Sequence, residues 1–247
     1  MKKLIVANWK MHGSCSKVVE DIAAYISADV TNSTNVVLAI PTIYLPLARQ
    51  ELNKTHNTKI KLAAQDVSKF LQKGAYTGEI GAEMLKEFDV DYVIVGHSER
   101  RMFFHESNHT MAKKIDAVIM NGMIPIFCFG EENVVREKRR HLEILNEQLQ
   151  LLHLIEEPIK ELVIAYEPVW AVGTGRVPTN LEILEVMNLV NGFVQNYLPH
   201  AKITTLYGGS VSSINIETIL SIDKNDGVLV GGASLQVNEF SKICSFA

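Results

Sequence analysis

The sequence is short of several features that would place it in a specialised class of protein. Cysteine is sparse, and Cys15, Cys128 and Cys244 are an odd set without the spacing of metal ligands. No apolar run approaches the roughly 18 residues that a membrane helix needs. The apolar stretch after Lys2 and Lys3 is too short for the core of a signal peptide. We therefore expect a soluble, reduced, cytoplasmic protein with no membrane partner.

The chain also lacks an excess of positive charge. It has 24 Lys and Arg against 28 Asp and Glu, a formal net charge of -4, so no large positive field would attract a nucleic-acid backbone. The basic stretch from Arg136 to His141 lies in a helical pattern with Glu137 and Glu143, as on a solvated helix face. We expect no nucleic-acid partner. Small anions remain suitable ligands, because backbone N–H groups capture them whatever the net charge.

What the chain does have is the composition of an ordinary globular protein. Hydrophobic residues make up 47% of the 247 residues and charged residues 21%. No Pro-, Gly- or Ser-rich linker divides the sequence. We expect one domain over residues 1–247, a length that is common for a single α/β barrel.

Short apolar segments rich in β-branched residues recur along the chain, and a helical pattern follows each of them. Most are continuously apolar, as strands covered on both faces should be. The predicted strands are Leu4 to Ala7, Val36 to Ile40, Lys59 to Ala64, Val90 to Val95, Ile124 to Phe129, Leu162 to Ala165, Ile203 to Leu206 and Gly227 to Val230.

The segments between these strands have helical periodicity. One apolar stripe, at Ile183, Met187 and Val190, follows a capping box at Thr179 and Glu182. Strand–helix units of this kind with right-handed crossovers predict an α/β fold, a (β/α)8 TIM barrel of eight parallel strands each followed by a helix. A doubly wound open sheet is the alternative, but its glycine-rich phosphate loop is missing after the first strand.

In a barrel of this kind, chemistry lies where the strands end at the carboxyl-terminal face. The residues found there are Asn8 and Lys10 after the first strand, His97 after the fourth, Glu167 after the sixth, Gly208-Gly209-Ser210 after the seventh and Gly231-Gly232 after the eighth. Each has an ordinary explanation by itself, such as a structural histidine or a glycine turn. Together on one rim they predict a carboxylate that removes a carbon-bound proton, cationic and imidazole groups that stabilise charge on oxygen, and amides that hold an anion. No metal-ligand cluster is evident, and we expect no metal or cofactor.

The longest motif surrounds Glu167. The carboxylate is followed by Pro168-Val169-Trp170, a flexible tip with Gly173 and Gly175, and then Arg176-Val177-Pro178. A carboxylate before a glycine-tipped loop with stiff proline shoulders indicates a base beneath a moving cover. A turn glutamate beside a surface loop is the alternative. Residues 168–178 are called the lid below.

Five segments together resemble the triosephosphate isomerase family. They are Asn8-Trp9-Lys10-Met11, Gly96-His97-Ser98-Glu99-Arg100-Arg101, Ala165-Tyr166-Glu167-Pro168-Val169-Trp170-Ala171-Val172-Gly173-Thr174-Gly175, Tyr207-Gly208-Gly209-Ser210 and Val230-Gly231-Gly232-Ala233-Ser234. They follow the order and the spacing of the family from the first strand to the eighth. The resemblance implies interconversion of dihydroxyacetone phosphate and D-glyceraldehyde 3-phosphate through an enediol(ate), in glycolysis and gluconeogenesis.

The resemblance also implies a role for each matching residue. Glu167 would carry the proton between the two carbons, and His97 would polarise the carbonyl as a neutral imidazole, an arrangement for which this family is the standard example. Lys10 would supply positive charge and Asn8 would hold a substrate oxygen. The implied substrate and phosphate contacts are Asn8, Trp9, Lys10, Gly173, Ser210, Gly231 and Gly232. Lid closure would exclude water and keep the enediolate from losing phosphate.

The family is usually a homodimer, in which the loop after the third strand enters the partner's site. The matching stretch here runs from Gln65 to Glu79, and Thr77 is the residue implied to reach across to Asn8 and Lys10. One departure lies at the rear of the lid, where Arg176-Val177-Pro178 replaces the usual Lys-Thr-Ala and proline restricts the backbone.

Two other functions remain open on the sequence alone. A phosphate-binding barrel could act on an indole or ribosyl phosphate, which would need a wider site. A phosphate-ligand sensor or a moonlighting surface protein could keep the barrel without the reaction. The intact set of Asn8, Lys10, His97 and Glu167 argues against the sensor, because binding alone requires no base.

Overall fold

Parallel strands form a closed barrel in the computed structural model, which describes residues 2–56, 59–173 and 175–246. Each strand pairs with the next one along the chain, and β8 closes on β1 in the register Leu4↔Gly227 to Ala7↔Val230. The strands are β1 Leu4–Asn8, β2 Asn35–Ile40, β3 Lys61–Ala64, β4 Tyr92–Val95, β5 Ile124–Phe129, β6 Glu161–Tyr166, β7 Lys202–Tyr207 and β8 Gly227–Val230. The predicted (β/α)8 TIM barrel, with a strand at each predicted place, is confirmed.

At least one helix follows every strand. The helices are α1 Cys15–Ser27, α2 Leu45–Lys54, α3 Ala82–Lys86, α4 Ser98–Phe104, α5 Asn108–Met120, α6 Asn133–Glu137, α7 His141–Leu149, α8 Asn180–Tyr197, α9 Ile216–Leu220 and α10 Val237–Ser245. The predicted capping box begins α8: Thr179 Oγ1 accepts the Glu182 N–H, and the Glu182 carboxylate accepts the Thr179 N–H. Within the described ranges, no helix has both the length and the apolar character to cross a membrane.

The core has two layers because side chains alternate between the faces of a strand. Inside the barrel, Val6, Ile126 and Cys128 belong to one buried cluster. Ile5 and Ala7, their neighbours on the other face, belong to a second cluster between the strands and the helices. Both faces of most strands are therefore buried, which is why most strands read as continuous apolar runs.

Barrel closure requires a close approach of two backbones where β8 meets β1. A Cβ atom built on Gly227 would lie 1.9 Å from the carbonyl oxygen of Leu4, whereas real Cβ contacts essentially never fall below 3.0 Å. Only glycine fits at this position unless one strand moves. The closing ladder therefore depends on a residue without a side chain.

We expect Gly227→Ala to lower the free energy of unfolding by about 3 kcal/mol, because the added methyl group displaces the backbone of β1. Gly192→Ala in α8 is the matched control: nothing lies within 4 Å of its Cβ position. Alanine should stabilise that helix by about 1 kcal/mol. Urea denaturation at one fixed protein concentration measures both variants, and equal midpoints would contradict the close-approach argument.

Candidate active site

One cavity at the carboxyl ends of the strands brings most of the predicted site residues together. It has a volume of about 240 Å³, and its lining includes Asn8, Lys10, His97, Glu167, Gly173, Ser210, Gly231 and Gly232. These residues come from the segments at the ends of β1, β4, β6, β7 and β8, together with the lid. Thr174, which belongs to the lid motif in the sequence, lies outside the described residues.

Two predicted residues lie elsewhere. Trp9 is 1% exposed and packs in the cluster between strands and helices, with Lys17 Nζ 5.3 Å from its ring. The structure does not bring its side chain to the cavity, because successive side chains after β1 alternate in direction and Asn8 and Lys10 take the inner positions. Thr77 lines a separate cavity of about 580 Å³ in the loop after β3.

The Glu167 carboxylate is enclosed at the end of β6, with the residue 1% exposed. Its Oε1 lies 2.9 Å from His97 Nε2, and its Oε2 accepts the Ser98 N–H at 2.9 Å. Burial raises the pKa of Glu167. The charge and hydrogen bond of His97, the Ser98 N–H and the Lys10 ammonium outweigh burial and hold that pKa below its ordinary value. The carboxylate is therefore ionised and able to accept a proton.

His97 is buried at the start of α4 and faces Glu167. Its Nδ1 accepts the Glu99 N–H at 3.2 Å, so the proton of a neutral ring lies on Nε2. Burial lowers the pKa of His97 and the adjacent Glu167 carboxylate raises it, with the balance above the ordinary value. The Glu99 amide opposes protonation, because it requires an acceptor at Nδ1. The result is a donor at Nε2 on the cavity wall.

Lys10 reaches the cavity through an unusual backbone conformation. Its φ of 52° lies in the left-handed region, which costs a non-glycine residue about 1 kcal/mol. Asn8 Oδ1 stabilises this turn by accepting the Lys10 N–H at 3.0 Å. Lys10 Nζ lies 2.6 Å from Glu99 Oε1, and the two side chains are 26% and 40% exposed. The ammonium group is thus held in place yet remains accessible to a ligand.

Two glycine turns, after β7 and β8, line the same cavity. A Cβ atom on Gly209 would lie 2.1 Å from Tyr207 Oη, so the turn after β7 requires glycine there. Ser210 Oγ donates to the Ala171 carbonyl at 2.7 Å and ties this turn to the front of the lid. The turn after β8 continues into a 3₁₀ turn, Gly232–Leu235. Backbone N–H groups of such turns bind phosphate in many barrels.

Sequence reasoning missed two contributors in the segment after β4. The Ser98 N–H holds the Glu167 carboxylate, 69 residues away. The Glu99 carboxylate pairs with Lys10, 89 residues away. The segment Gly96 to Arg101 was singled out as a unit, but a linear motif does not specify which atoms of another rim segment it meets.

The fold and the cavity together define a class of protein. A parallel barrel whose rim carries an ionised carboxylate, an imidazole donor, a lysine and glycine turns is built like a phosphate-binding enzyme that moves a proton next to a carbonyl. The cavity of about 240 Å³ is smaller than the roughly 300–1,000 Å³ of pockets for drug-sized ligands. A small substrate therefore fits it better than an indole or ribosyl phosphate.

Comparison with known proteins specifies the family. The family model described as triosephosphate isomerase matches residues 3–247. The triosephosphate isomerase of Clostridium tetani is 40% identical over 250 residues, covering 99% of this chain and 96% of the relative. Those of Orientia tsutsugamushi (strain Boryong) and Acetivibrio thermocellus are each 39% identical, covering 98% and 99% of this chain and 97% and 98% of the relatives. The chain belongs to the triosephosphate isomerase family, a family of isomerases.

We expect nitrogen-15 NMR of the His97 ring, at the alkaline end of its titration where the ring is neutral, to show one protonated nitrogen, Nε2, and this end should lie at a higher pH than for an ordinary histidine because Glu167 raises the pKa of His97. The physical reason is the Glu99 N–H, which occupies Nδ1. His97→Gln removes the signals and assigns them. A proton on Nδ1, or two protonated nitrogens, would contradict this assignment.

Proposed function

We propose that this chain, as a single cytoplasmic barrel domain over residues 1–247, interconverts dihydroxyacetone phosphate and D-glyceraldehyde 3-phosphate in glycolysis and gluconeogenesis. The observation that carries the proposal is the contact between the Glu167 carboxylate and His97 Nε2 at 2.9 Å, in the cavity that Lys10 also lines. A phosphate sensor would need the glycine turns, but it would not need an enclosed carboxylate. The proposed reaction invokes no metal or cofactor.

In the first half-reaction, Glu167 removes a proton from C1 of dihydroxyacetone phosphate. The substrate carbonyl oxygen takes over the His97 Nε2–H, which releases Glu167 Oε1 for this task. The C1–H electrons form the C1–C2 double bond, and the carbonyl oxygen becomes the enediolate oxygen. His97 and the Lys10 ammonium stabilise its charge. Asn8 donates through its amide NH₂, because its Oδ1 is occupied by the Lys10 N–H.

In the second half-reaction, the protons are redistributed. His97 gives its Nε2 proton to the oxygen on C2 and takes the proton from the hydroxyl on C1. Glu167, now a carboxylic acid, returns its proton to C2, and the carbonyl forms at C1. Once Glu167 has turned to the substrate, the contact that raises the pKa of His97 is lost, so burial keeps the imidazole neutral.

The phosphate group is held by main-chain N–H groups rather than by a cationic cluster. Gly231 and Gly232 after β8, Ser210 after β7 and Gly173 in the lid line the cavity at the places that the family uses for this purpose. Closure of the lid brings Gly173 onto the phosphate and excludes water. The enediolate is then protected from losing its phosphate before it is protonated.

We further propose that the active form is a homodimer. Large apolar side chains are exposed on the segments after β1 and β2, with Met11 94% and Ile43 77% exposed. Thr77 is exposed in the loop after β3 and is not part of the cavity lining that contains Asn8 and Lys10 of its own chain. The family arrangement would instead place Thr77 against the partner's site, and a second copy would cover the apolar surface.

Glu167→Asp should lower kcat by about 100-fold or more, because the shorter side chain withdraws the base by about one bond length from the substrate carbon. KM should change little, since the phosphate contacts are untouched. The measurement couples deuterium uptake from heavy water into dihydroxyacetone phosphate to formation of the aldehyde. Glu161→Asp, at the other end of β6 and paired with Lys202, is the matched control. Near-normal turnover of Glu167→Asp would remove Glu167 from this role.

Thr77→Arg should raise the dissociation constant of the dimer at least about 10-fold, since a charge would be buried at the subunit contact. Sedimentation equilibrium measures the change, with activity followed over the same concentration range. Thr218→Arg, on the exposed side of α9, is the control and should remain dimeric. A wild-type monomer with full activity would refute the dimer.

A further inference from the structure

The two ends of the lid contact different elements. We call residues 168–171 the front shoulder and residues 176–182, which include the capping box, the rear shoulder. At the front, Trp170 lies in a 3₁₀ turn, Val169–Ala171, and its Nε1 donates to Glu131 Oε1 at 2.9 Å. At the rear, the chain passes through the buried Pro178 into the capping box of Thr179 and Glu182 at the start of α8. The position of the lid depends on how these two shoulders are held relative to each other.

One guanidinium group contacts both shoulders. Arg136 on α6 donates through Nη1 to Glu131 Oε1 at 3.1 Å, and its Cζ lies 5.5 Å from the Trp170 ring. Its Nη2 lies 3.1 Å from Glu182 Oε1. The other oxygen of Glu182 accepts the Thr179 N–H at 2.8 Å, so the ion pair joins directly onto the capping box. A planar guanidinium with several fixed donors is suited to such a bridge.

Burial makes the front half of this bridge, between Arg136 and Glu131, rigid. The Glu131 side chain is 0% exposed, and Arg136 is 13% exposed. The same Glu131 oxygen also accepts the Tyr166 hydroxyl at 3.1 Å, which ties the front shoulder to the end of β6. An enclosed carboxylate of this kind needs its cation, because removing one partner leaves a buried charge unpaired. The front contact is therefore fixed, and it joins the rear contact at Glu182, whose side chain is 38% exposed.

We infer that Arg136 is a positioning residue for the proposed isomerase reaction, which sets the distance between the two shoulders so that the lid closes onto the substrate phosphate in one defined place. Arg136 is not among the residues that line the cavity, so it acts through the lid and not on the substrate. Replacing Arg136 should therefore slow the reaction only for a substrate that carries a phosphate group for the lid to contact. The inference rests on the proposed function.

The experiment compares Arg136→Gln and Glu182→Gln with the wild-type protein on two substrates, glyceraldehyde 3-phosphate and phosphate-free glyceraldehyde. Glu182→Gln removes only the rear contact, because glutamine can still accept the Thr179 N–H of the capping box. Arg140→Gln is the matched control, since Arg140 is exposed, pairs with Glu143 and carries the same charge. Circular dichroism and urea unfolding follow the fold of each variant.

For Arg136→Gln, kcat/KM on glyceraldehyde 3-phosphate should fall about 10-fold or more, while the value on glyceraldehyde changes less than about 2-fold. For Glu182→Gln, kcat/KM on glyceraldehyde 3-phosphate should fall by a smaller factor.

A second readout is inorganic phosphate released per turnover. In an enediolate that is poorly covered, the C3–O bond breaks with its electrons leaving on phosphate, and the remaining enol becomes methylglyoxal. This fraction should rise in both variants and not in Arg140→Gln.

Equal losses on the two substrates would overturn the inference, because they would indicate a general structural defect. Values for both variants that match Arg140→Gln would overturn it as well. If Arg136→Gln does not fold, Glu182→Gln alone decides between these outcomes. An inactive wild-type protein would instead overturn the proposed function, and the positioning role with it, so the two failures are distinguishable.

Discussion

The enclosed carboxylate of Glu167 is the charge on which the rest of the rim depends. A buried ionised carboxylate is costly unless donors surround it, and the segment after β4 provides them as His97 Nε2 and the Ser98 N–H. The strand between, β5, sets the spacing: the Glu167 N–H donates to the Phe129 carbonyl at 2.8 Å, and a Cβ atom on Gly130 would lie 1.7 Å from the Glu167 carbonyl oxygen. The position of this carboxylate is therefore a consequence of how tightly neighbouring strand ends pack.

Two other carboxylates, Glu99 and Glu131, are also neutralised by a nearby cation, but they differ in how deeply they are buried. Glu99 pairs with Lys10 where both side chains are partly exposed, so solvent screens the pair and a phosphate ester can compete for the ammonium. Glu131 pairs with Arg136 where the carboxylate has no exposure, so that contact cannot be exchanged without a large cost. An exchangeable cation at the cavity suits the proposed binding role of Lys10, and a fixed cation behind the lid suits the proposed positioning role of Arg136.

The barrel and the positions on its rim could be predicted because they depend on local pattern: continuous apolar runs give strands, and the residues after each run lie on one face. The contacts between these rim residues could not be predicted, since they join segments that are far apart along the chain, as in the pairing of Lys10 with Glu99. The predicted strands were also too short where a polar residue begins the strand. Glu161 and Lys202 begin β6 and β7 as an ion-paired couple that hydrophobicity does not reveal. The motif after β1 also contains Trp9, whose side chain turns into the core because side chains alternate in direction.

The proposed catalytic pair and the lid are anchored on different elements. Glu167 and His97 are fixed at the ends of β6 and β4, whereas the shoulders of the lid are fixed through Arg136 to α6 and the start of α8. A change at the rear shoulder, such as the proline at position 178, alters the backbone freedom with which the lid moves. We expect it to leave the contact between the Glu167 carboxylate and His97 Nε2 unchanged, because that contact joins the ends of β6 and β4. We therefore expect residues 176–178 to affect the motion of the lid rather than the proton transfer.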